Sequence, residues 1–455
     1  MDLSGVVKAY DVRGIVPDDF DEHVARALGA AFVDVTGASE LLTAHDMRET
    51  GPGLARAFAD GALHRGASIV EIGLASTDML YFASGHLGLP GAMFTASHNP
   101  STYNGIKFCR AGAVAVGRDS GLAEIRAGAE RYLDQGLPSG QGSGSVVQRD
   151  MLREYAAYLR GLVDLRHGRP LKVVVDAGNG MAGHTVPAVL GDQVLEPLPL
   201  EIVPMYFELD GSFPNHEANP LEPKNLVDLQ ERVVAEGADI GLAFDGDADR
   251  CFVIDGAGAA VSPSAITCLV AVRELARAPG AHVIHNLITS HAVPEVITEH
   301  GGTPVRTQVG HSIIKAEMAR TGAVFGGEHS AHYYFRDFWF ADTGMLAAMH
   351  VLAALGEQPG RLADLVEPYA RYVASGEINS TVADQAAALA AVRAAYEPEA
   401  ESVDDLDGLT VVLADGNWFN VRASNTEPLL RLNVEATTDA DMARLRDAVL
   451  AVIRS

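Results

Sequence analysis

Four short clusters of polar residues hold the chemistry available to this chain. In Thr95-Ala96-Ser97-His98-Asn99-Pro100 a serine follows the apolar run Leu89-Pro90-Gly91-Ala92-Met93-Phe94. Asn99-Pro100 stops the strand, because proline offers no N–H and restricts the residue before it. A serine on such a turn is presented to a cleft, where its hydroxyl can serve as a nucleophile. The second cluster, Asp245-Gly246-Asp247-Ala248-Asp249-Arg250, lies between the apolar runs 240–244 and 251–254 and reads as strand, tight loop, strand. If that loop curls, three carboxylates converge. At about 4 Å and an effective dielectric of about 20, each pair repels by roughly 4 kcal/mol; a hard cation removes that cost and takes oxygen ligands. A calcium hand needs glycine at its sixth place and glutamate at its twelfth, and here Arg250 and Gly256 stand there.

The third cluster is Gly326-Gly327-Glu328-His329-Ser330-Ala331-His332. A glutamate, a serine and two histidines in a glycine-opened loop suit sugar hydroxyls. The fourth is Arg422-Ala423-Ser424-Asn425-Thr426-Glu427-Pro428, followed by Arg431. Its hydroxyls, amide and successive backbone N–H groups surround one point, and arginine adds a planar fork matched to phosphate oxygens.

The elements that carry these clusters alternate in period. Residues 22–35 and 53–64 read as amphipathic helices, and apolar runs such as 67–74 fall between them. Strand–helix alternation implies a largely parallel sheet covered on both faces. The Gly/Ser-rich stretch 136–146 reads as a linker, followed by a helix over 151–163 and a strand over 171–176. The strand enters Ala177-Gly178-Asn179-Gly180, a turn for which a structural role is preferred to phosphate binding. A further α/β unit covers 255–367. From about Tyr369 the pattern changes: strand-like runs at 409–413, 418–422 and 429–434 and helices at 382–396 and 439–453 suggest a mostly antiparallel sheet with helices on one face. Four domains are therefore expected, at 1–146, 147–254, 255–367 and 368–455.

Composition bounds the partners. With 455 residues, 48% hydrophobic and 21% charged, the chain is an ordinary globular one, too long for a single core. The net charge of −26 disfavours nucleic acid and anionic membranes. An anionic substrate then needs local positive charge, which Arg13, Lys107, Arg250, Arg422 and Arg431 would supply. Only five lysines occur, Lys8, Lys107, Lys172, Lys224 and Lys315. No apolar run reaches about 18 residues, so no membrane-crossing helix is expected. The terminus Met1-Asp2-Leu3-Ser4 has no secretory pattern. Cys109, Cys251 and Cys268 are scattered, with neither disulfide nor metal spacing. A reducing cytoplasm is the simplest compartment; oligomeric state is not legible.

Taken in order and spacing, the four clusters resemble the α-D-phosphohexomutases, in particular the bacterial phosphomannomutase/phosphoglucomutase group. Lys8-Ala9-Tyr10-Asp11-Val12-Arg13-Gly14 resembles that family's amino-terminal signature, and Asn104-Gly105-Ile106-Lys107-Phe108, Val309-Gly310-His311-Ser312, Phe213-Pro214-Asn215-His216 and Asn219-Pro220 fall where its other motifs do. The resemblance implies three consecutive mixed or parallel α/β sandwich domains, which are topological copies in the family. A C-terminal α+β domain follows, and all four surround a central cleft. It implies an isomerase that moves phosphoryl between O1 and O6 of a hexose. Ser97 would carry the phosphate, and Asp245, Asp247 and Asp249 would hold Mg²⁺ with a phosphoserine oxygen completing the site. Arg13 and Arg250 would contact the same phosphoryl group. Lys107, His332 and His311 remain open as handlers of the hydroxyl proton.

Further roles follow from the same resemblance. Tyr10, Glu328 and Ser330 would bind the sugar, the last two at O3 and O4, and Arg422, Ser424, Asn425, Thr426 and Arg431 would bind the phosphate that is not reacting. A hexose 1,6-bisphosphate would be the intermediate and activator, turning over in the site before phosphate returns to Ser97, with closure of the last domain excluding water. Two departures stand out. No lysine occurs in 283–291, where some members carry one, so a contact to phosphate or sugar there is either missing or made by His285 or His291, and Ala331 stands where glycine is common. Mannose phosphate ranks first as substrate, then glucose phosphate, alone or together, then glucosamine phosphate. A magnesium-dependent sugar phosphatase and a non-catalytic sugar-phosphate sensor are the readings from other classes.

Overall fold

The computed structural model describes residues 2–8, 10–138, 140, 142, 144–423 and 429–455. Four sheets succeed one another along the chain. In the second, Leu171–Asp176 lies between two parallel neighbours, Leu200–Met205 and Ile240–Phe244; Cys251–Asp255 and Ala260–Val261 then continue the sheet antiparallel. The third repeats this order with His282–Asn286 between Thr303–Thr307 and Phe325–Gly327, then Tyr333–Phe335 and Ala341–Asp342 antiparallel. The first has the same plan, with Glu40–His45 between Ser68–Leu74 and Gly91–Phe94, and Tyr103–Arg110 antiparallel beyond. The three α/β units are thus topological copies. The fourth sheet is antiparallel, built on Leu409–Leu413, Trp418–Ala423 and Leu429–Ala436, with the helices Gln385–Tyr396 and Asp439–Ile453 packed on it.

Local chemistry sets the element ends. The helix Glu22–Thr36 begins where the Asp21 side chain accepts from Val24 N–H, and stops at Gly37 in the left-handed region. Asp384 and Thr438 cap the two helices of the last unit in the same way; the Asp384 cap starts its helix at Gln385 rather than at 382. Two boundaries differ from the sequence reading. Val146–Gln148, at the end of the Gly/Ser-rich stretch, adds an edge strand beside Ser68–Leu74. The second sheet continues past residue 254 to Ala260–Val261. Both additions are two- or three-residue strands, too short to carry an alternating pattern.

One continuous apolar core runs through the first three units, from Leu42 through Val174 and Leu242 to Phe335 and Leu352. A second core lies under the other face of the first sheet, and the fourth unit has its own, around Val411, Phe419, Leu432 and Val449. Among the described residues no helix is long and apolar enough to cross a membrane.

Candidate active site

The topological copies place their functional loops identically. Residues 95–102, 245–250 and 328–332 each join the last parallel strand of their sheet to the first antiparallel one. The three loops meet. A Cβ on Gly246 would lie 2.4 Å from the Ser97 carbonyl oxygen, so only glycine lets the acidic loop approach the serine loop this closely. Arg250 pairs with His332 in an isolated antiparallel bridge, which joins the acidic loop to the third.

Ser97 sits at φ 49°, in the left-handed region that costs a residue with a Cβ about 1–2 kcal/mol. Its N–H donates to Thr95 Oγ1 at 2.9 Å, and its hydroxyl donates to Asp245 Oδ2 at 2.8 Å. Arg250 Nη2 approaches Ser97 Oγ at 3.3 Å and also meets His98 Nδ1. Arg13 is tied to Asp11, to the Ala96 carbonyl and to Asn99 Oδ1. Sequence reasoning missed the residue that fixes the loop from behind. Arg48, 2% exposed, donates to four carbonyls of this segment: Ser97 at 2.9 Å, Asn99 at 2.7 Å, Pro100 at 2.8 Å and Tyr103 at 2.9 Å. Asp46 pairs with it at 3.3 Å.

The three aspartates are fully buried, and they present oxygens within 4.8 Å of one another. Asp245 takes Ser97 and Arg250. Asp247 Oδ2 accepts from Lys107 Nζ at 2.7 Å and from Thr77 Oγ1, and Asp249 Oδ2 also accepts from Lys107. Asp247 Oδ1 and Asp249 Oδ1 are buried and take no hydrogen bond among the described residues. Two bare carboxylate oxygens facing a third carboxylate and a serine hydroxyl are the donor set a hard divalent cation requires, so these residues fit Mg²⁺. Electrostatics divides the trio. Burial, with Asp249 and Asp247 adding to it against Arg250, pushes the Asp245 carboxyl up. Burial also opposes ionisation of Asp249, but Lys107 and His332 hold its carboxyl low. Burial likewise works against the Lys107 charge, and Asp247 and Asp249 overcome it and raise its pKa well above the ordinary lysine value.

A cavity of about 150 Å³ opens in front of this cluster, lined by Tyr10, Arg13, Ser97, Lys107, Asp249, Arg250, His311 and His332 among others. His311, half-buried, packs edge-on against Tyr10, and its Nδ1 is buried without a hydrogen bond among the described residues. Burial and the nearby Lys315 push it down to about 4, so it is neutral near pH 7. His332 Nδ1 lies 2.9 Å from Ser330 Oγ, and Nε2 lies 3.6 Å from Asp249 Oδ1. Asp342, also on the cavity wall, pairs with Lys315 at 2.6 Å; neither was singled out from sequence.

The other predicted residues stand outside this cavity. Both Glu328 oxygens are engaged, by Asn286 Nδ2 at 3.1 Å and by the Tyr334 hydroxyl at 2.6 Å. Ala331 keeps the left-handed turn, at φ 62°. Arg422 and Arg431 both reach Glu377, each at 3.3 Å, and each keeps a buried Nε without a partner among the described residues. Ser424, Asn425 and Thr426 lie outside the described residues. His285 turns to Thr289 Oγ1 at 3.0 Å, and His291 stacks on Trp418 at 4.7 Å, so neither lines the Ser97 cavity. Just after the turn 177–180, Met181 N–H donates to the Gly246 carbonyl at 2.9 Å, a contact that supports the acidic loop.

Known proteins are similar to this chain along its whole length. Family models for phosphoglucomutase/phosphomannomutase α/β/α domains I, II and III match residues 5–135, 153–258 and 262–372, and the C-terminal domain model matches 377–452. A phosphomannomutase of Escherichia coli is 38% identical, over 98% of this chain and 98% of its own. A phosphomannomutase/phosphoglucomutase of Pseudomonas aeruginosa is 36% identical, over 97% and 94%. A solved phosphoglucomutase/phosphomannomutase family protein of Burkholderia thailandensis superposes with a TM-score of 0.87 at 33% identity, covering 100% of this chain and 98% of its own. Four domain matches in order and relatives aligned from end to end show that the chain belongs to the phosphoglucomutase/phosphomannomutase family of α-D-phosphohexomutases, isomerases that transfer phosphoryl within a sugar phosphate.

Proposed function

We propose that this phosphohexomutase interconverts mannose 6-phosphate and mannose 1-phosphate through a phosphoserine at Ser97 and a hexose 1,6-bisphosphate. The observation that carries the reading is the Ser97 hydroxyl, 2.8 Å from Asp245 Oδ2 and 3.3 Å from Arg250 Nη2 at the end of a closed-in cavity. When bound by Asp245, Asp247 and Asp249, Mg²⁺ would neutralise charge on the transferring group and favour in-line displacement. Arg250 and Arg13 would steady the phosphoryl oxygens. As a sugar hydroxyl attacks, its oxygen bonds to phosphorus, the bond to Ser97 Oγ breaks, and the hydroxyl proton passes to a nearby base. We place that proton on His311 or His332. Lys107 is doubly paired and held charged, so it has no lone pair to offer; it balances the acids instead.

Glu328 and Ser330 would hold sugar hydroxyls that read the same in both orientations of the bisphosphate, with Tyr10 beside them. Arg422 and Arg431, with Ser424, Asn425 and Thr426, would take the distal phosphate in exchange for Glu377. Mannose is ranked first on similarity to phosphomannomutases. Glucose phosphate is the second substrate to test, because a relative 36% identical carries both activities in its name.

Intact mass tests the core of this reading. Wild-type protein should carry an addition of about 80 Da, one phosphoryl group, absent from Ser97→Ala. Side-by-side turnover of mannose, glucose and glucosamine phosphates tests the sugar. Glucosamine 6-phosphate turned over as fast as mannose 6-phosphate contradicts the ranking.

A further inference from the structure

The first turn of the helix Thr77–Leu87 contains a buried carboxylate that the proposed chemistry does not use. Asp78 is 0% exposed. It accepts from three hydroxyls: Ser76 Oγ, the Tyr155 hydroxyl at 2.7 Å and Thr343 Oγ1 at 2.7 Å. These donors come from different units. Tyr155 lies on the helix Leu152–Leu162 of the second, and Thr343 caps the helix Gly344–Gly356 of the third. Next to Asp78, Thr77 donates twice to one residue of the acidic loop: its N–H to the Asp247 carbonyl at 3.0 Å and its hydroxyl to Asp247 Oδ2. That second bond, with Lys107, occupies Oδ2 and leaves Oδ1 as the bare oxygen. From the third unit, Gly344 packs so closely on the Arg250 backbone that a Cβ would lie 2.6 Å from its carbonyl carbon.

We propose that Asp78 is a positioning residue for the acidic cage: its three hydroxyl contacts register the first three units and thereby hold Thr77 against Asp247, so that Oδ1 faces the cation. The inference rests on the reading that Asp245, Asp247 and Asp249 bind a divalent cation. A helix N-terminus favours negative charge, which accounts for an acid in the first turn. It does not account for hydroxyl donors from two other units. Hydroxyls alone satisfy Asp78, with no cation in contact among the described residues; burial pushes its carboxyl up to about 6. A buried acid without a counter-ion is a poor stabiliser, which fits a role in geometry.

The test is Mn²⁺ binding to the full chain, followed by the electron paramagnetic resonance signal of free Mn²⁺, beside thermal unfolding of each variant. Thr77→Val and Thr343→Val keep side-chain shape and remove one donor each; Asp78→Asn replaces the hub. Asp78→Asn and Thr77→Val should weaken Mn²⁺ binding about tenfold or more, and Thr343→Val severalfold, with Thr77→Val melting close to wild type. A merely structural network would shift melting and leave affinity alone. Wild-type affinity in both Thr77→Val and Thr343→Val overturns this inference by itself. Failure of the wild type to bind Mn²⁺ overturns the cage reading and the inference with it.

Discussion

The first three units and the fourth are joined by different physics. The first three share one apolar core and three interlocked loops, and at their junction lie fully buried charges: Asp245, Asp247, Asp249 and, nearly so, Arg250 and Lys107. The fourth has a separate core, and its contacts with the third include the stack of His291 on Trp418 and polar pairs such as Arg306 with Asp404 at 2.7 Å and His291 N–H to Glu435 at 2.9 Å. A joint made of ion pairs separates at little cost, whereas one made of buried carboxylates and apolar side chains does not. On the proposed function the difference would divide labour: the first three units would hold the phosphoryl group and its charge, and the fourth would bring distal arginines to whichever phosphate is idle.

The largest effect that would break this contrast is at Gly246. Gly246→Ala must push the acidic loop off the Ser97 carbonyl oxygen, because the added methyl would stand 2.4 Å from it. A displacement of about 1 Å at the reacting atoms costs about 10²-fold in kcat, checked by steady-state kinetics on protein of normal Tm. Arg48→Met comes next. It strips four carbonyls of a charged donor and leaves the buried Asp46 without its guanidinium partner, for about 3 kcal/mol of stability, read by denaturant unfolding. On the fourth unit the signature should change. Arg422→Ala should raise KM for the phosphosugar about tenfold, the worth of a charged hydrogen bond, while phosphoserine occupancy measured by intact mass stays at the wild-type level. Loss of occupancy there would erase the distinction between the two regions.

The smallest effect is on pH. Burial holds His285 down to about 4 and His350 down to about 3. Both are neutral when folded and take a proton near pH 6.5 when unfolded. Below about pH 6.5 the unfolded chain therefore binds more protons, so their contribution is complete above that pH and is lost as pH falls towards 4. Asp78, raised to about 6, acts in the opposite sense over about pH 4 to 6 and offsets part of it. Asp245, also raised, acts in the same sense as Asp78, so the prediction is a difference: His350→Phe, which keeps the stack on Phe335, should lose less Tm than wild type between pH 7 and 5.

Residues that act as a local string were legible in the sequence. Ser97 on its Asn-Pro turn and three acids at alternate positions declare themselves within six residues, and the strands around them follow from apolar runs. Arg48 did not, because it works through backbone carbonyls of a loop some 50 positions away, and carbonyls leave no trace in a side-chain pattern. Asp78 and Thr77 were missed because their main partners lie on other units, Tyr155, Thr343 and Asp247; Lys315 and Asp342 were missed because only the folding of the third unit brings the two together. Lys107 was visible, but its pairing with both Asp247 and Asp249, on which its proposed part as a counter-ion rests, depends on how two sheets meet. The edge strand Val146–Gln148 was hidden because the Gly/Ser stretch before it carries no periodicity.

The most direct measurement follows one phosphoryl group. Enzyme labelled with radioactive phosphate at Ser97 is mixed with unlabelled mannose 1-phosphate in a single turnover. The label should leave the protein and appear in hexose 1,6-bisphosphate and then in mannose 6-phosphate. Label released as inorganic phosphate, or retained on the protein while sugar turns over, would contradict the shuttle through Ser97.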